Sequence, residues 1–145
     1  MKKIIRTTAV IATLLLILTS CKLESRNQNV PNLATLHNSK ISLDWWGLYT
    51  GVLPCADCEG IKVLLTLNRD ETYELSFTYI GKSEIPVVFT GTFAWDETGG
   101  KITVRRNNFP IRYKVGEGRL FQLDLEGNPI SGELADMYIL TKVVE

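Results

Sequence analysis

Between residues 72 and 79 apolar and polar side chains alternate without a break, Tyr73, Leu75, Phe77 and Tyr79 on one face and Thr72, Glu74, Ser76 and Thr78 on the other. A β-strand, with its two-residue side-chain period, gathers the first set on a buried face and leaves the second in water. The same period governs most of the chain beyond Trp45. Ile61, Val63, Leu65 and Leu67 alternate with Lys62, Leu64 and Thr66, and Val87, Phe89, Gly91, Phe93 and Trp95 alternate with Val88, Thr90, Thr92 and Ala94. Shorter stretches at 102–105, 111–115 and 120–125 continue the series, with 47–53 opening it and 137–143 closing it. Turn-forming residues separate them at 68–70, 96–100, 107–108, 116–118 and 126–129, where Gly, Asn and Asp tolerate positive φ and Pro fixes it. No window of a dozen residues favours a helix. The expected fold is all-β: a small antiparallel meander of about eight strands closed into a barrel, because closure removes edges that a flat sheet would leave exposed. At that size the interior is either packed with side chains or just wide enough for one small ligand, and the pattern permits both.

The first 20 residues read differently. Lys2, Lys3 and Arg6 precede an apolar run over 9–18, and Thr19-Ser20-Cys21 follows at once. Basic start, apolar centre and small residues at the end make a secretory signal; the run of about ten residues is half the ~20 needed to cross a bilayer. Leu18-Thr19-Ser20-Cys21 resembles the bacterial lipobox, in which the Cys is diacylated on sulfur, becomes the new N-terminus and is acylated again. Cys21 is therefore expected to be lipidated, its acyl chains holding the protein to membrane lipid at ~0.8 kcal/mol per buried CH₂. Lys22 in place of Asp resembles outer-membrane sorting in enterobacterial lipoproteins, so the expected location is the bacterial envelope, at the outer membrane.

Residues 21–42 carry no sustained period, hold apolar residues singly and include four Asn and a Pro. They read as the lipidated Cys and a flexible tether, which leaves 43–145 as the folded domain. His37, the only histidine, falls in the tether and reads as a solvated side chain rather than a ligand. The chain has 16 basic and 16 acidic residues, and three of the basic ones lie in the signal. The remainder is mildly acidic, which argues against a nucleic-acid partner, since counterion release needs a basic face.

Beyond Cys21 two cysteines remain, Cys55 and Cys58, in Leu53-Pro54-Cys55-Ala56-Asp57-Cys58-Glu59-Gly60 between two strands. A catalytic dithiol lowers its thiol pKa at a helix N-terminus or beside cations; here a strand follows, and Asp57 and Glu59 should raise it. A structural zinc wants four ligands, and there is no second pair and no nearby His. Cu(I) is held by as few as two thiolates and favours soft sulfur. A disulfide or thiol pair that only shapes the turn is equally compatible with the spacing. Asp57 backs a metal site from behind the sulfurs or bonds its own backbone.

The run Gly47-Leu48-Tyr49-Thr50-Gly51-Val52-Leu53-Pro54-Cys55-Ala56-Asp57-Cys58-Glu59-Gly60-Ile61 resembles the opening signature of the N-terminal domain of the NlpE family, envelope lipoproteins linked to copper resistance and to activation of the Cpx stress response. The resemblance continues through the strand at 73–79, Gly91-Thr92-Phe93-Ala94-Trp95 and Glu126-Gly127-Asn128-Pro129-Ile130. It implies a lipocalin-like barrel, Cys55 and Cys58 as the family's C-x-x-C pair, and a role in sensing or buffering envelope copper as Cu(I), or in reporting envelope stress to a periplasmic sensor protein. Longer members carry a second, OB-like domain that is not found in these 145 residues, so functions of that domain are not expected here. The alternative is a barrel that carries a small apolar ligand or docks a partner protein, with the cysteines structural.

Trp45 and Trp46 stand where an aromatic closes a barrel floor. Arg105 and Arg106 read as a solvent-facing basic pair. No Ser-His-Asp set, phosphate loop or spaced carboxylate pair rises above chance, and no enzymatic activity is expected.

Overall fold

The computed structural model describes residues 38–144. The expected signal segment, Cys21, the tether up to residue 37 and His37 lie outside the described residues. Nine strands form one antiparallel sheet: β1 (Gly47–Leu53), β2 (Gly60–Leu67), β3 (Thr72–Ile80), β4 (Ser83–Thr92), β5 (Ala94–Trp95), β6 (Lys101–Arg106), β7 (Phe109–Gly116), β8 (Arg119–Gln122) and β9 (Ile139–Lys142). Their order is β4-β3-β2-β1-β9-β8-β7-β6-β5. The two ends of that order are consecutive in the chain, so the sheet curls round into a nearly closed barrel.

The all-β barrel expected from the period-two pattern is what forms, and its departures have local causes. The single strand expected up to Trp95 is two, because the chain changes partners at buried Phe93: its N–H still donates to Glu71 O at 2.9 Å, one step beyond Thr72↔Thr92, and Ala94 and Trp95 then pair with β6. β4 starts at Ser83, since Gly81 at φ +80° makes a tight turn with Lys82. The strand expected over 120–125 stops at Gln122. Asp124 takes the next residues into a turn, its carboxylate accepting Asn128 N–H at 2.7 Å. Met137 and Tyr138 belong to a 3-10 turn, Ala135–Tyr138, rather than to the last strand.

Residues 38–42, which the sequence assigns to the tether, lie against the barrel. Ser39–Ser42 forms one helical turn, α1, capped by the Asn38 side chain, which accepts Ile41 N–H at 3.1 Å. Such a cap satisfies one donor that a helix start leaves free. The turn buries no side chain and is tied to the barrel by polar groups: Ser39 Oγ donates to Val115 O at 2.8 Å, Lys40 N–H to Gly99 O at 3.0 Å, and Trp45 Nε1–H to Lys40 O at 3.0 Å. No hydrophobic period announces a segment held this way.

The barrel interior is filled. Tyr49, Val63, Leu65, Leu75, Ile102, Val104, Tyr113, Leu120 and Leu140 are fully buried and form one core with Leu67, Tyr73, Phe77 and Val115. Of the two interiors an eight-strand barrel allows, this chain has the packed one. Trp45 closes the floor, edge-on to Trp46, Phe93 and Trp95 at 5.8, 5.7 and 5.4 Å between ring centroids. Trp46 is half-buried against the edge of the core, with the Arg69 guanidinium 4.0 Å over its ring.

Where β4 and β6 meet, a side chain stands in for the ladder. Tyr73 on β3 faces Gly91 on β4, and a Cβ at Gly91 would sit 3.2 Å from the Tyr73 ring. Across this gap the Tyr73 hydroxyl donates to Arg105 O at 2.6 Å and accepts Arg105 N–H at 3.1 Å. One hydroxyl thus satisfies both backbone groups of an edge residue. Tyr73→Phe is expected to lower stability by about 1–3 kcal/mol through those two unpaired groups. Urea unfolding checks it; a loss below about 0.5 kcal/mol would mean that the seam closes without the hydroxyl.

Candidate functional site

Strands β1 and β2 pair from Gly47↔Leu67 to Leu53↔Ile61, and the loop between them, residues 54–59, carries both cysteines. Pro54 ends β1's ladder by lacking an N–H. Gly60 is buried with its absent Cβ 2.6 Å from a Val52 methyl, so the loop re-enters the sheet where only glycine fits. The two-residue spacing brings the Cα atoms of Cys55 and Cys58 to 5.3 Å, and the pair forms a disulfide. Of the readings left open by the sequence, the disulfide is the one the structure contains.

Asp57 stays with the sulfurs. One oxygen lies 3.6 Å from Cys55 Sγ, and one donor atom each from Cys55, Asp57 and Cys58 falls within 4.8 Å of the other two. Cys58 Sγ lies 3.4 Å from Gly60 O. The cysteines are half-buried and Asp57 is exposed.

The sequence predicts an acidic surround for the pair, and the fold changes that. The other Asp57 oxygen pairs with Lys82 Nζ from the β3–β4 turn. The hydrogen bond to Lys82, reinforced by its charge, holds the Asp57 carboxyl below the usual carboxylate range. The two hairpins also meet through the backbone, Glu59 N–H donating to Ile80 O at 3.2 Å. Lys82 is the residue sequence reasoning missed: it lies 25 positions from Asp57 and reaches it only through the register Gly60↔Ile80. The available signal was Gly81-Lys82, a tight-turn dipeptide between two apolar stretches.

As a disulfide the loop offers no thiolate, so it holds no soft metal in this form. With the disulfide reduced, the same backbone presents two sulfurs and a carboxylate to one point. That set is one ligand short of the four a structural zinc wants and matches the two-thiolate preference of Cu(I). β2 follows the pair directly, so no helix N-terminus acidifies either sulfur as dithiol catalysis needs. Arg106 corrects the expected solvent-facing pair. Neighbouring residues on a strand face opposite ways, so Arg105 is exposed while Arg106 turns in over the Phe77 ring at 5.6 Å.

The NlpE N-terminal domain family matches residues 49–133. Lipoprotein NlpE of Escherichia coli (strain K12) is 38% identical over 86 residues, covering 59% of this chain and 36% of that protein. The chain thus spans about a third of the length of this curated relative. Among solved structures, a lipoprotein from Shewanella oneidensis is 50% identical with a TM-score of 0.67, covering 72% of this chain and 94% of the other. The crystal structure of the Cpx pathway activator NlpE from Escherichia coli is 34% identical with a TM-score of 0.51, covering 60% of this chain and 46% of the other.

Proposed function

Because the chain belongs to the NlpE N-terminal domain family, we propose that it is a lipid-anchored protein of the bacterial envelope that takes up Cu(I) through Cys55 and Cys58 and so serves copper tolerance. The observation that carries this reading is the convergence of the Cys55, Asp57 and Cys58 donor atoms within 4.8 Å on one exposed loop. Uptake starts from the disulfide. Two electrons and two protons from an envelope dithiol convert the S–S bond to two thiols, the donor becoming a disulfide in turn. Each thiol then loses its proton as its sulfur binds the metal. Asp57, paired with Lys82, ties the cysteine loop to the β3–β4 turn. The anchor is the acylated Cys21, and Lys22 directs the protein to the outer membrane.

A lipid anchor and a metal-responsive loop on one small barrel also suit a stress reporter. The Escherichia coli relative is described as an activator of the Cpx pathway, and by that likeness we assign a periplasmic sensor protein as this chain's partner. The function requires no catalytic step.

In a host lacking the protein, the full chain is expected to restore growth on copper and the Cys55→Ser, Cys58→Ser chain is not, at equal protein levels in the envelope. Equal growth of the two would remove the copper role.

A further inference from the structure

Strands β6, β7 and β8 together hold six basic residues and no acidic one. Arg106 turns in over Phe77. The other five, Lys101, Arg105, Arg112, Lys114 and Arg119, alternate with buried Ile102, Val104, Tyr113, Val115 and Leu120, so they share the outer face of the sheet. Strand pairing then crowds them. Lys101 stands directly opposite Lys114, and Arg112 lies two residues along β7 from it. Arg119 pairs with Gly116, which sets it diagonal to Lys114. Cβ atoms directly opposite lie about 5 Å apart and diagonal neighbours about 7–8 Å. A chain of balanced composition thus has one basic face.

The fold does not neutralise that face. The ion pairs among the described residues take Lys40, Lys82 and Lys142 and none of these five cations. Arg112 Nη1 donates to Leu125 O at 2.8 Å and Lys101 Nζ to Gly127 O at 3.1 Å, which holds the turn at 124–128 beside them with Leu125 76% exposed. The nearby carboxylates are committed to their own turns, Asp96 to Thr98 Oγ1 and to the N–H groups of Gly100 and Lys101, Asp124 to Asn128 N–H. Arg105, Lys114 and Arg119 are exposed. Like charges directly opposite on a sheet destabilise it, so Lys101 facing Lys114 is a cost that an anion from outside would offset.

The first described residues show which anionic partner lies within reach. Lys40 N–H donates to Gly99 O and Ser39 Oγ to Val115 O, two residues from Lys101 and one from Lys114. The chain therefore enters the domain at the edge of the basic face. Sixteen residues separate Cys21 from Asn38, at most about 60 Å of chain, so an anchor at Cys21 keeps this edge near the bilayer at high effective concentration. We infer that the face formed by Lys101, Arg105, Arg112, Lys114 and Arg119 docks on the anionic phospholipid surface of the membrane that holds the anchor, with Leu125 at the interface. The inference rests on the anchor proposed above for the nearness of the membrane, and is independent of copper binding.

The test uses the full chain in vesicles. Flotation with pure phosphatidylcholine vesicles reports the anchor alone. A fluorophore on Thr103→Cys, opposite Arg112 on the basic face, or on Thr66→Cys of β2, across the barrel, reports contact with nitroxide-headgroup lipid through quenching. Quenching at position 103 is expected when about a third of the lipid is phosphatidylglycerol and not in pure phosphatidylcholine, with position 66 unquenched in both. Salt at about 1 M, where the Debye length is about 3 Å, should release the face. At roughly fivefold per charge near an anionic surface, the triple variant Arg105→Gln, Lys114→Gln, Arg119→Gln should dock roughly a hundredfold less. Its melting temperature should hold or rise as the opposed lysines are relieved, which separates lost docking from misfolding. Equal quenching at position 103 in the two lipids, or undiminished docking of the triple variant, would overturn the proposal. Retention of the chain by polyglutamate without any response to phosphatidylglycerol would assign the face to an acidic protein and likewise overturn it. If the chain does not float with phosphatidylcholine, the anchor is what fails; flotation with phosphatidylglycerol that the triple variant loses would still support the face, and its absence would overturn it.

Discussion

Replacing Trp45 with Ala is expected to cost the domain about 3–5 kcal/mol, the range for truncating a buried aromatic. Trp45 is 7% exposed and touches three aromatic rings at once, so its removal opens the floor of the barrel. It also ends the hydrogen bond from its indole to Lys40 O and disturbs the carbonyl that accepts the Tyr49 hydroxyl at 2.7 Å. Tyr49 sits fully buried beside this floor, and burial, with Asp44 adding to it, pushes its phenol up to about 12. For a domain of this size each kcal/mol moves Tm by several degrees, so a fall of more than about 10 °C is expected. Trp46→Ala provides the contrast. That ring is half-buried and flanked by Arg69 and Lys142, and its loss should cost about 1 kcal/mol or less. Similar melting of the two variants would show that the floor is not what Trp45 closes.

The second large effect concerns the oxidation state of the loop. With Cys55 and Cys58 joined, both sulfurs are spent, and the oxidised chain is expected to show no Cu(I) binding above that of the Cys55→Ser, Cys58→Ser chain. Reduction by a dithiol under anaerobic conditions should restore binding in full. Asp57 lies beside the sulfurs and pairs with Lys82. Asp57→Asn in the reduced chain is therefore expected to weaken binding roughly ten- to a hundredfold, the usual effect of losing a group that orients metal ligands. Unchanged affinity of Asp57→Asn would limit the site to the two sulfurs.

Much of this was legible in the sequence because one physical rule produces it. Where a strand has one face in the core and one in water, as from Tyr73 to Leu75, alternation is enforced residue by residue; at Ser76 the expected water-facing side chain is buried instead. The cysteine loop was legible too, because Cys55, Asp57 and Cys58 are three neighbours and need no tertiary contact to meet. What escaped depends on register between distant segments. Lys82 reaches Asp57 only because β2 and β3 align Gly60 with Ile80. Tyr73 closes the seam only because Gly91 leaves room for its ring. Arg106 turns inward because its strand neighbour Arg105 does not, and the adjacent pair of charges hid that distinction. The helical turn at Ser39–Ser42 is held by three hydrogen bonds to the barrel and by a cap, and hydrogen bonds of that kind leave no periodic trace.

The proposed Cu(I) site is the reduced Cys55–Cys58 loop. It is tested most directly by competing a Cu(I) chelator against the anaerobic, reduced full chain and against its Cys55→Ser, Cys58→Ser counterpart. One Cu(I) per chain is expected, withdrawn from the chelator by the parent and left with it by the double variant. Equal partition of copper between chelator and protein for both chains would contradict it, and the loop would then be a structural turn closed by a disulfide.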